Sequence, residues 1–286
     1  MKFNRITIIG VGLIGGSIGL AVKKRRLAKE VVGVFRRNST MRKALSKRAI
    51  DRATMNIEEG VRGADIIIIA SPVYSIPDLV YEAMKYAKSG AIITDVGSTK
   101  TWVTKEVAKL KKMRVSISFV GSHPMAGSEH AGVEYARPDL LEGSPCIVTR
   151  SIDTDGKALS KISGFWKSLG ARVSVMTPGE HDKAIALVSH LPHVVAFSLA
   201  ASVPLDMLKY AAEGFKDTTR VASSDPRLWA DIFLSNREEV LRSARAFEAS
   251  YRNLVKALSA GSYSQVTKLL GKAKIRRDKI THVRAD

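Results

Sequence analysis

The sequence predicts an α/β fold: a doubly wound parallel sheet in the first part of the chain, then an all-helical second part. Three observations carry that expectation. A short apolar run, Ile6-Thr-Ile-Ile9, leads into the glycine-rich stretch Gly10 to Gly19 and then into a helical pattern, the strand–turn–helix order that opens such sheets. Fully apolar runs such as Ile66-Ile-Ile-Ile-Ala70 recur between helical patterns, as strands covered on both faces require. After Thr177-Pro178-Gly179 strand-like runs stop and only helical ones follow. The expected division is 1–176 for the sheet domain, of the Rossmann type, and 177–286 for the helical one.

Composition narrows the class. The chain has 286 residues and 45% hydrophobic content, enough to bury a substantial core. Cys146 is the single cysteine, so no intrachain disulfide can form and a reducing cytoplasm is expected. Its place in an expected strand, Ser144 to Thr149, suits a small buried filler. Met1-Lys-Phe-Asn-Arg leads straight into the first strand, so no signal peptide is expected. No membrane span is expected either: the longest apolar run, Ala184 to Val203, is broken by Ser189-His190, Pro192 and His193. The net charge of +19 invites a polyanionic partner. The basic clusters Lys23–Arg26, Arg36-Arg37, Lys109–Arg114 and Lys272–Lys279 belong to different elements, however, with little aromatic interleaving for base stacking. A solvated basic surface that attracts anionic small molecules is the better account, and nucleic acid is not expected.

In chain order, Gly10, Gly12 and Gly15 form G-x-G-x-x-G between strand and helix. The first glycine permits the turn, the second lets backbone approach a pyrophosphate, and the third lets helix and strand pack closely. With Leu13 and Ile14 they frame a helix N-terminus that offers free N–H groups to phosphate. Val31 to Phe35 reads as the second strand, and Arg36-Arg37-Asn38-Ser39 follows it. An acid there would accept from a ribose 2′-hydroxyl; two arginines with Ser39 suit a 2′-phosphate instead, so NADP is expected ahead of NAD. A helix over Thr40–Ala49, the strand 66–70 ended by Ser71-Pro72, and a helix over Ser75–Tyr86 come next. Ser71 and Pro72 should pass over the cofactor at the carboxyl edge of the sheet.

Ala91 to Asp95 is another strand, and Ser98 opens a helix over Thr99–Leu110. Ser98 suits the N-cap of that helix and also stands where ligands bind in open sheets. A strand over Val115–Gly121 leads to His123-Pro-Met-Ala-Gly127-Ser128-Glu129. Taken alone, His123 suits equally a catalytic base and a structural hydrogen bonder. Strands at 144–149 and 172–176 flank a helix at 157–169, and helices are expected at 181–190, 193–203, 205–215, 225–234, 237–258 and 263–274, before a charged, frayed tail.

His123-Pro-Met-Ala-Gly127 resembles a motif of the prephenate/arogenate dehydrogenase family of tyrosine biosynthesis. Asp95-Val-Gly-Ser-Thr-Lys100, Ser189-His-Leu-Pro-His193, Gly214-Phe-Lys-Asp-Thr-Thr-Arg220 and Asp225-Pro-Arg-Leu-Trp229 are similar to further family motifs, in the family's order, and the resemblance spans roughly residues 6 to 258. It implies a nicotinamide-dependent domain joined to a helical domain that forms a homodimer, and oxidative decarboxylation of an anionic cyclohexadienol. It further implies that His123 takes the hydrogen bond of the ring hydroxyl and that Ser98 binds the same hydroxyl or orients the nicotinamide. Arg220 would bind a substrate carboxylate and His193 would help hold the substrate, with Glu129 and His190 ordering the pocket. The pair Arg36-Arg37 departs from the acid that many family members carry.

Plainer readings stand beside these. His190 and His193 could share a helix face as metal ligands, but Pro192 interrupts the helix between them and no third ligand is evident, so no metal is expected. Trp229 suits packing better than catalysis. The rival activity is an oxidoreductase of the 3-hydroxyacid or imine-reductase type, which would rely on a lysine near the joint; Lys183 is the candidate.

Overall fold

The computed structural model describes residues 2–110, 117–127 and 131–282. Six strands form an all-parallel sheet in the order β3-β2-β1-β4-β5-β6, with β1 (Phe3–Ile9) beside both β2 (Ala28–Val34) and β4 (Ile66–Ile69). β3 is Arg52–Thr54, β5 Ile92–Asp95 and β6 Ser118–Val120. Alternation along the strands sorts the two cores. Ile6, Ile8, Ile66 and Ile68 face α1 (Leu13–Lys24) and α6 (Gly156–Ser168), among them Ile18, Phe165 and Trp166. Ile67, Ile69 and Ile93 face α4 (Ile76–Tyr86) and α5 (Thr101–Leu110) through Val80, Val103 and Val107. Burial on both faces is why β4 is pure isoleucine and why the buried positions of β1, β2 and β5 are mostly isoleucine and valine.

Two of the elements that escaped the sequence reading lie between β2 and β4 in chain order. The edge strand β3 is three residues long, and α3 (Ile57–Val61) is a single short helix whose N-cap, Asn56, accepts from the Glu59 N–H. Both lie below the length at which periodicity is readable. α2 runs Asn38–Ser46 rather than from Thr40.

A further difference concerns the expected strand 115–121, of which 115 and 116 lie outside the described residues. The chain leaves the parallel sheet after β6 and enters a second sheet as β7 (Ser122–Pro124). That sheet has the order β7-β8-β9, with β8 (Pro145–Thr149) antiparallel to β7 and parallel to β9 (Arg172–Met176). The switch occurs at Gly121, where a Cβ would stand 2.6 Å from Thr149 Oγ1; only glycine lets the two strands meet so closely. Cys146 lies buried on β8, and burial pushes its thiol up.

The helical region begins with α7 (Pro178–Ile185), a π-helical turn (Ala186–His190) and α8 (Leu191–Ser202), with no break between them. Pro192 therefore does not interrupt the helix. The wider π turn just before it accommodates a residue that lacks an N–H and crowds the preceding carbonyls. By its length, and by the mean hydropathy of 1.7 over its most apolar 18-residue stretch, the helical run Pro178–Ser202 would suffice to cross a membrane, contrary to the expectation that no such run exists. Yet His181 and Asp182, near its start, are buried and bonded to other elements of the fold. The expected helix 205–215 is instead a 3₁₀ stretch (Leu205–Tyr210) followed by α9 (Glu213–Thr219) and a second 3₁₀ turn (Arg220–Ser223). α10 is Pro226–Ser235, capped by Asp225.

The chain divides into two compact units, 1–237 and 238–286. Residues 177–179 lie within the first unit, where α7 and α10 hydrogen-bond to the segment that opens α5. The second unit holds α12 (Tyr263–His282) and nearly all of α11 (Arg237–Ser259). The helix α12 continues to His282, past the expected end at 274, and an i,i+4 pair between Lys274 and Asp278 lies on the extension.

Thr177 and Glu180 close a reciprocal capping box at the start of α7: Thr177 Oγ1 accepts the Glu180 N–H at 3.2 Å and Glu180 Oε2 accepts the Thr177 N–H at 2.8 Å. Thr177→Ala is expected to lower the unfolding free energy by about 1 kcal/mol in urea titration, with an unchanged m-value. An unchanged midpoint would show that the box does not hold this helix start.

Candidate active site

The glycine turn sits at the carboxyl end of β1, between β2 and β4, where the order of the sheet reverses. Gly10 has φ +92°, and a Cβ there would lie 2.3 Å from the Ala70 carbonyl oxygen. A Cβ on Gly15 would lie 2.2 Å from the Gly10 carbonyl oxygen. The fold itself demands those two glycines. Gly12 differs: a Cβ there would meet nothing within 4 Å. Glycine at the N-cap of α1, with no side-chain cap, leaves the first amides of the helix open, as a pyrophosphate requires. The residues therefore fit a dinucleotide. Leu13 and Ile14 are half-buried in the first turn, and Ser71 flanks Gly10 with the exposed Pro72 after it. Arg36, Arg37 and Ser39 are exposed just past β2, whose Val34 pairs with Ile9 beside the turn. Arg37 is the N-cap of α2.

A second cluster forms where β5 ends. Asp95 and Lys100 are fully buried and ion-paired. Asp95 also accepts from the backbone N–H of Gly97, 2.9 Å, and of Ser122, 3.1 Å, which fixes the start of β7. The N–H groups of Lys100 and Thr101, opening α5, both donate to the Asp182 carboxylate at 2.8 Å. Asp182 thus fills the capping role expected of Ser98, as a charged acceptor brought in from α7. Ser98 Oγ is half-exposed and has no hydrogen-bond partner among the described residues.

From Asp182 a chain of rings leads to His123. His181 Nδ1 lies 2.7 Å from Asp182 Oδ1, and His181 Nε2 lies 2.9 Å from His123 Nδ1. All three residues are buried. Burial, then the charges of His181, Lys100 and His190, hold His123 well below the ordinary histidine range, so it is neutral at physiological pH. Burial lowers His181 too, outweighing the pull of Asp182. Burial would raise the Asp182 carboxyl, but hydrogen bonds from His181, Thr101 and Lys100 outweigh it and keep the group ionised.

The remaining histidines follow along the same helix. Asn236 Nδ2 donates to the Asp182 carbonyl at 2.9 Å, which fixes its amide, and lies 3.3 Å from His190 Nδ1. His190 therefore accepts at Nδ1 and carries its proton on Nε2. That Nε2 is buried with no partner among the described residues, a donor left for a ligand. His193 Nδ1 donates to the Ser189 carbonyl at 2.9 Å, and its ring stacks on Trp229 at 3.4 Å. Arg220 is exposed and close enough for its charge to depress His193, after burial. The structure thus links His123, His190, His193 and Arg220 electrostatically. Glu129 lies outside the described residues. No group of three metal-ligating side chains occurs among the described residues. Lys183 is exposed and makes no hydrogen bond or ion pair among them, whereas its neighbours His181 and Asp182 turn inwards. The sequence reading missed His181, Asp182 and Asn236; the one signal available was polar residues recurring on the buried side of an otherwise apolar helical run.

Comparison with known proteins gives a consistent family. A model of the prephenate dehydrogenase nucleotide-binding domain matches residues 18–175, and one of the prephenate dehydrogenase dimerization domain matches residues 177–272. A prephenate dehydrogenase of Bacillus subtilis is 37% identical over 83% of the chain and 66% of its own length. A cyclohexadienyl dehydrogenase of Zymomonas mobilis is 34% identical over 90% of the chain and 89% of its own. Among solved structures, prephenate dehydrogenase from A. aeolicus, in complex with hydroxyphenyl propionate and NAD+, superposes with TM-score 0.91 at 33% identity, covering 98% of this chain and 99% of that one. A 3-hydroxyisobutyrate dehydrogenase from Salmonella typhimurium, at 14% identity and TM-score 0.55 over 93% of this chain and 99% of that one, is alike in fold alone.

The buried histidines make stability depend on pH. Burial chiefly lowers His190 from 6.5 to about 4. Between those values the unfolded chain binds the proton and the folded chain does not, so stability falls as pH falls through the window. The gap corresponds to about 3 kcal/mol at 1.36 kcal/mol per pH unit. Asp182, with its lowered carboxyl, acts only below 3.8, outside the window. The urea midpoint is expected to drop steadily from neutral pH towards 4, and His190→Gln to flatten the slope; a flat native profile would contradict the assignment.

Proposed function

The chain belongs to the prephenate dehydrogenase family, and from that premise we propose that it catalyses the oxidative decarboxylation of prephenate or arogenate, in tyrosine biosynthesis. The observation that carries the reading is a buried neutral imidazole, His123, on a strand that follows the carboxyl edge of a dinucleotide-binding sheet. The nicotinamide supplies a hydride acceptor. His123 accepts the hydrogen bond of the ring hydroxyl as its carbon is oxidised, and takes its proton. The carboxylate on the opposite ring carbon leaves as carbon dioxide, and the bonding pair it leaves behind makes the ring aromatic. The net reaction releases no proton, so His123 returns its proton to the phenolic oxygen. Ser98, with an unengaged hydroxyl, orients the substrate hydroxyl or the nicotinamide. Arg220 and His193 bind substrate carboxylate, and the orphan N–H of His190 donates to a substrate oxygen.

Residues 1–176 carry the cofactor in this reading, and 177–286 the substrate contacts and a homodimer interface. The exposed apolar side chains Leu187, Val188 and Leu205 suit burial against a second copy. Arg36 and Arg37 favour NADP over NAD by clamping a 2′-phosphate. The lone, buried Cys146 suits a reducing cytoplasm.

Reduction of NADP+ and NAD+ should be followed by absorbance with each substrate. Turnover of prephenate or arogenate is expected, and none with either would overturn the reading. His123→Asn should lower kcat between about 10²- and 10⁴-fold. Replacing Arg36 and Arg37 together by alanine should raise KM for NADP+ at least about tenfold, the loss of one charge-assisted bond, and leave KM for NAD+ near its starting value. Equal effects on both cofactors would remove the 2′-phosphate assignment.

A further inference from the structure

The Asp182–His181–His123 chain is continuous, buried and ends on the group assigned to the ring hydroxyl. Its hydrogen bonds determine where the protons sit. Asp182 accepts two backbone N–H groups at the start of α5, where a helix end favours negative charge. An ionised carboxylate can only accept, so His181 Nδ1, 2.7 Å away, must carry a proton. In a neutral imidazole that leaves Nε2 as the acceptor. Since His181 Nε2 faces His123 Nδ1 at 2.9 Å, His123 Nδ1 must donate. The lone pair of neutral His123 is then on Nε2.

We propose that Asp182 and His181 are positioning residues that lock His123 in the Nδ1–H tautomer, making Nε2 the atom that takes the hydroxyl proton. The proposal deepens the dehydrogenase reading and rests on it. The opposite set of tautomers would turn the His181 Nδ1 lone pair towards the carboxylate, a repulsion that a dry interior magnifies. Among the described residues the groups facing the two rings are few. His123 faces His181, Lys100 and His190, and its backbone N–H donates to the Cys146 sulfur; His181 faces Asp182, Lys100 and Asp95. Lys100 is itself paired with Asp95, which leaves the Asp182 carboxylate as the acceptor that orders the rings. When His123 Nε2 takes the hydroxyl proton, its Nδ1–H keeps the bond to His181, and Asp182 offsets the new charge through that ring. The proton goes back to the phenolic oxygen once the ring is aromatic, so the chain ends as it began.

The test has a spectroscopic and a kinetic arm. Long-range proton–nitrogen correlation spectra of the full chain, without cofactor, are expected to show His123 protonated on Nδ1. Asp182→Asn retains an oxygen able to cap α5, but its amide can present donor or acceptor to His181, so a mixture of His123 tautomers is expected. A native His123 protonated on Nε2 overturns the proposal, whatever the enzyme turns over. Asp182→Asn is expected to lower kcat between about 10²- and 10⁴-fold with KM little changed. It should also move the acid limb of the kcat profile to lower pH, because the imidazolium has lost its counter-charge. His181→Gln, whose carbonyl can accept from His123 Nδ1, should keep more activity than His181→Leu, which cannot. Equal loss in those two variants, or an unmoved pH limb in folded Asp182→Asn, overturns the proposal. Should Asp182→Asn not fold, the native spectrum and the His181 pair decide. Should neither prephenate nor arogenate be consumed, the dehydrogenase reading fails while the spectrum still tests the tautomer.

Discussion

One carboxylate joins the two halves of the site. Asp182 caps the helix that follows β5 and holds the imidazole that holds His123. It is buried, and a buried carboxylate is tolerated only when its lone pairs are engaged. Backbone N–H groups of α5 and the ring of His181 engage them, so the position of α7 against α5 is set by a requirement for solvation rather than by apolar contact alone. Asn236, donating to the Asp182 carbonyl, ties the end of α10 to the same point. The ion pair of Asp95 with Lys100 lies alongside and fixes β7 through the Ser122 N–H. Most of the polar groups here are satisfied across elements, which gives the His123 ring a defined orientation.

The cofactor site obeys a different constraint. Gly10 and Gly15 are dictated by the protein's own backbone, through contacts a Cβ could not make. Gly12 is not: space around it is open. A glycine that the fold does not need, at an uncapped helix N-terminus, leaves room for the close approach of a phosphate. Both sites lie at one edge of the sheet, because β1, β4 and β5 end there and the chain turns from β6 into β7 at Gly121.

Much of this was legible in the chain. The glycine spacing, the isoleucine-rich strands and the change to helical periodicity at Thr177 located the sheet and the helical region, because period and turn chemistry are local properties. The motif around His123 pointed to the family through residue type. What escaped was short or relational. β3 and α3 are too brief to show a period. Gly121 reads as a loop glycine unless the neighbouring Thr149 is known. Pro192 reads as a helix breaker because a π turn leaves no mark in composition.

The sequence by itself determined the class of fold, the glycine turn and the family, and it singled out His123, since each rests on residues near one another in the chain. Only the tertiary structure decided which groups surround that histidine. Asp182 is 81 residues from Thr101 and His181 is 58 from His123, and no local pattern encodes those meetings. They arise because burial leaves a carboxylate, a helix N-terminus and two imidazoles no water to bond, and they satisfy one another instead.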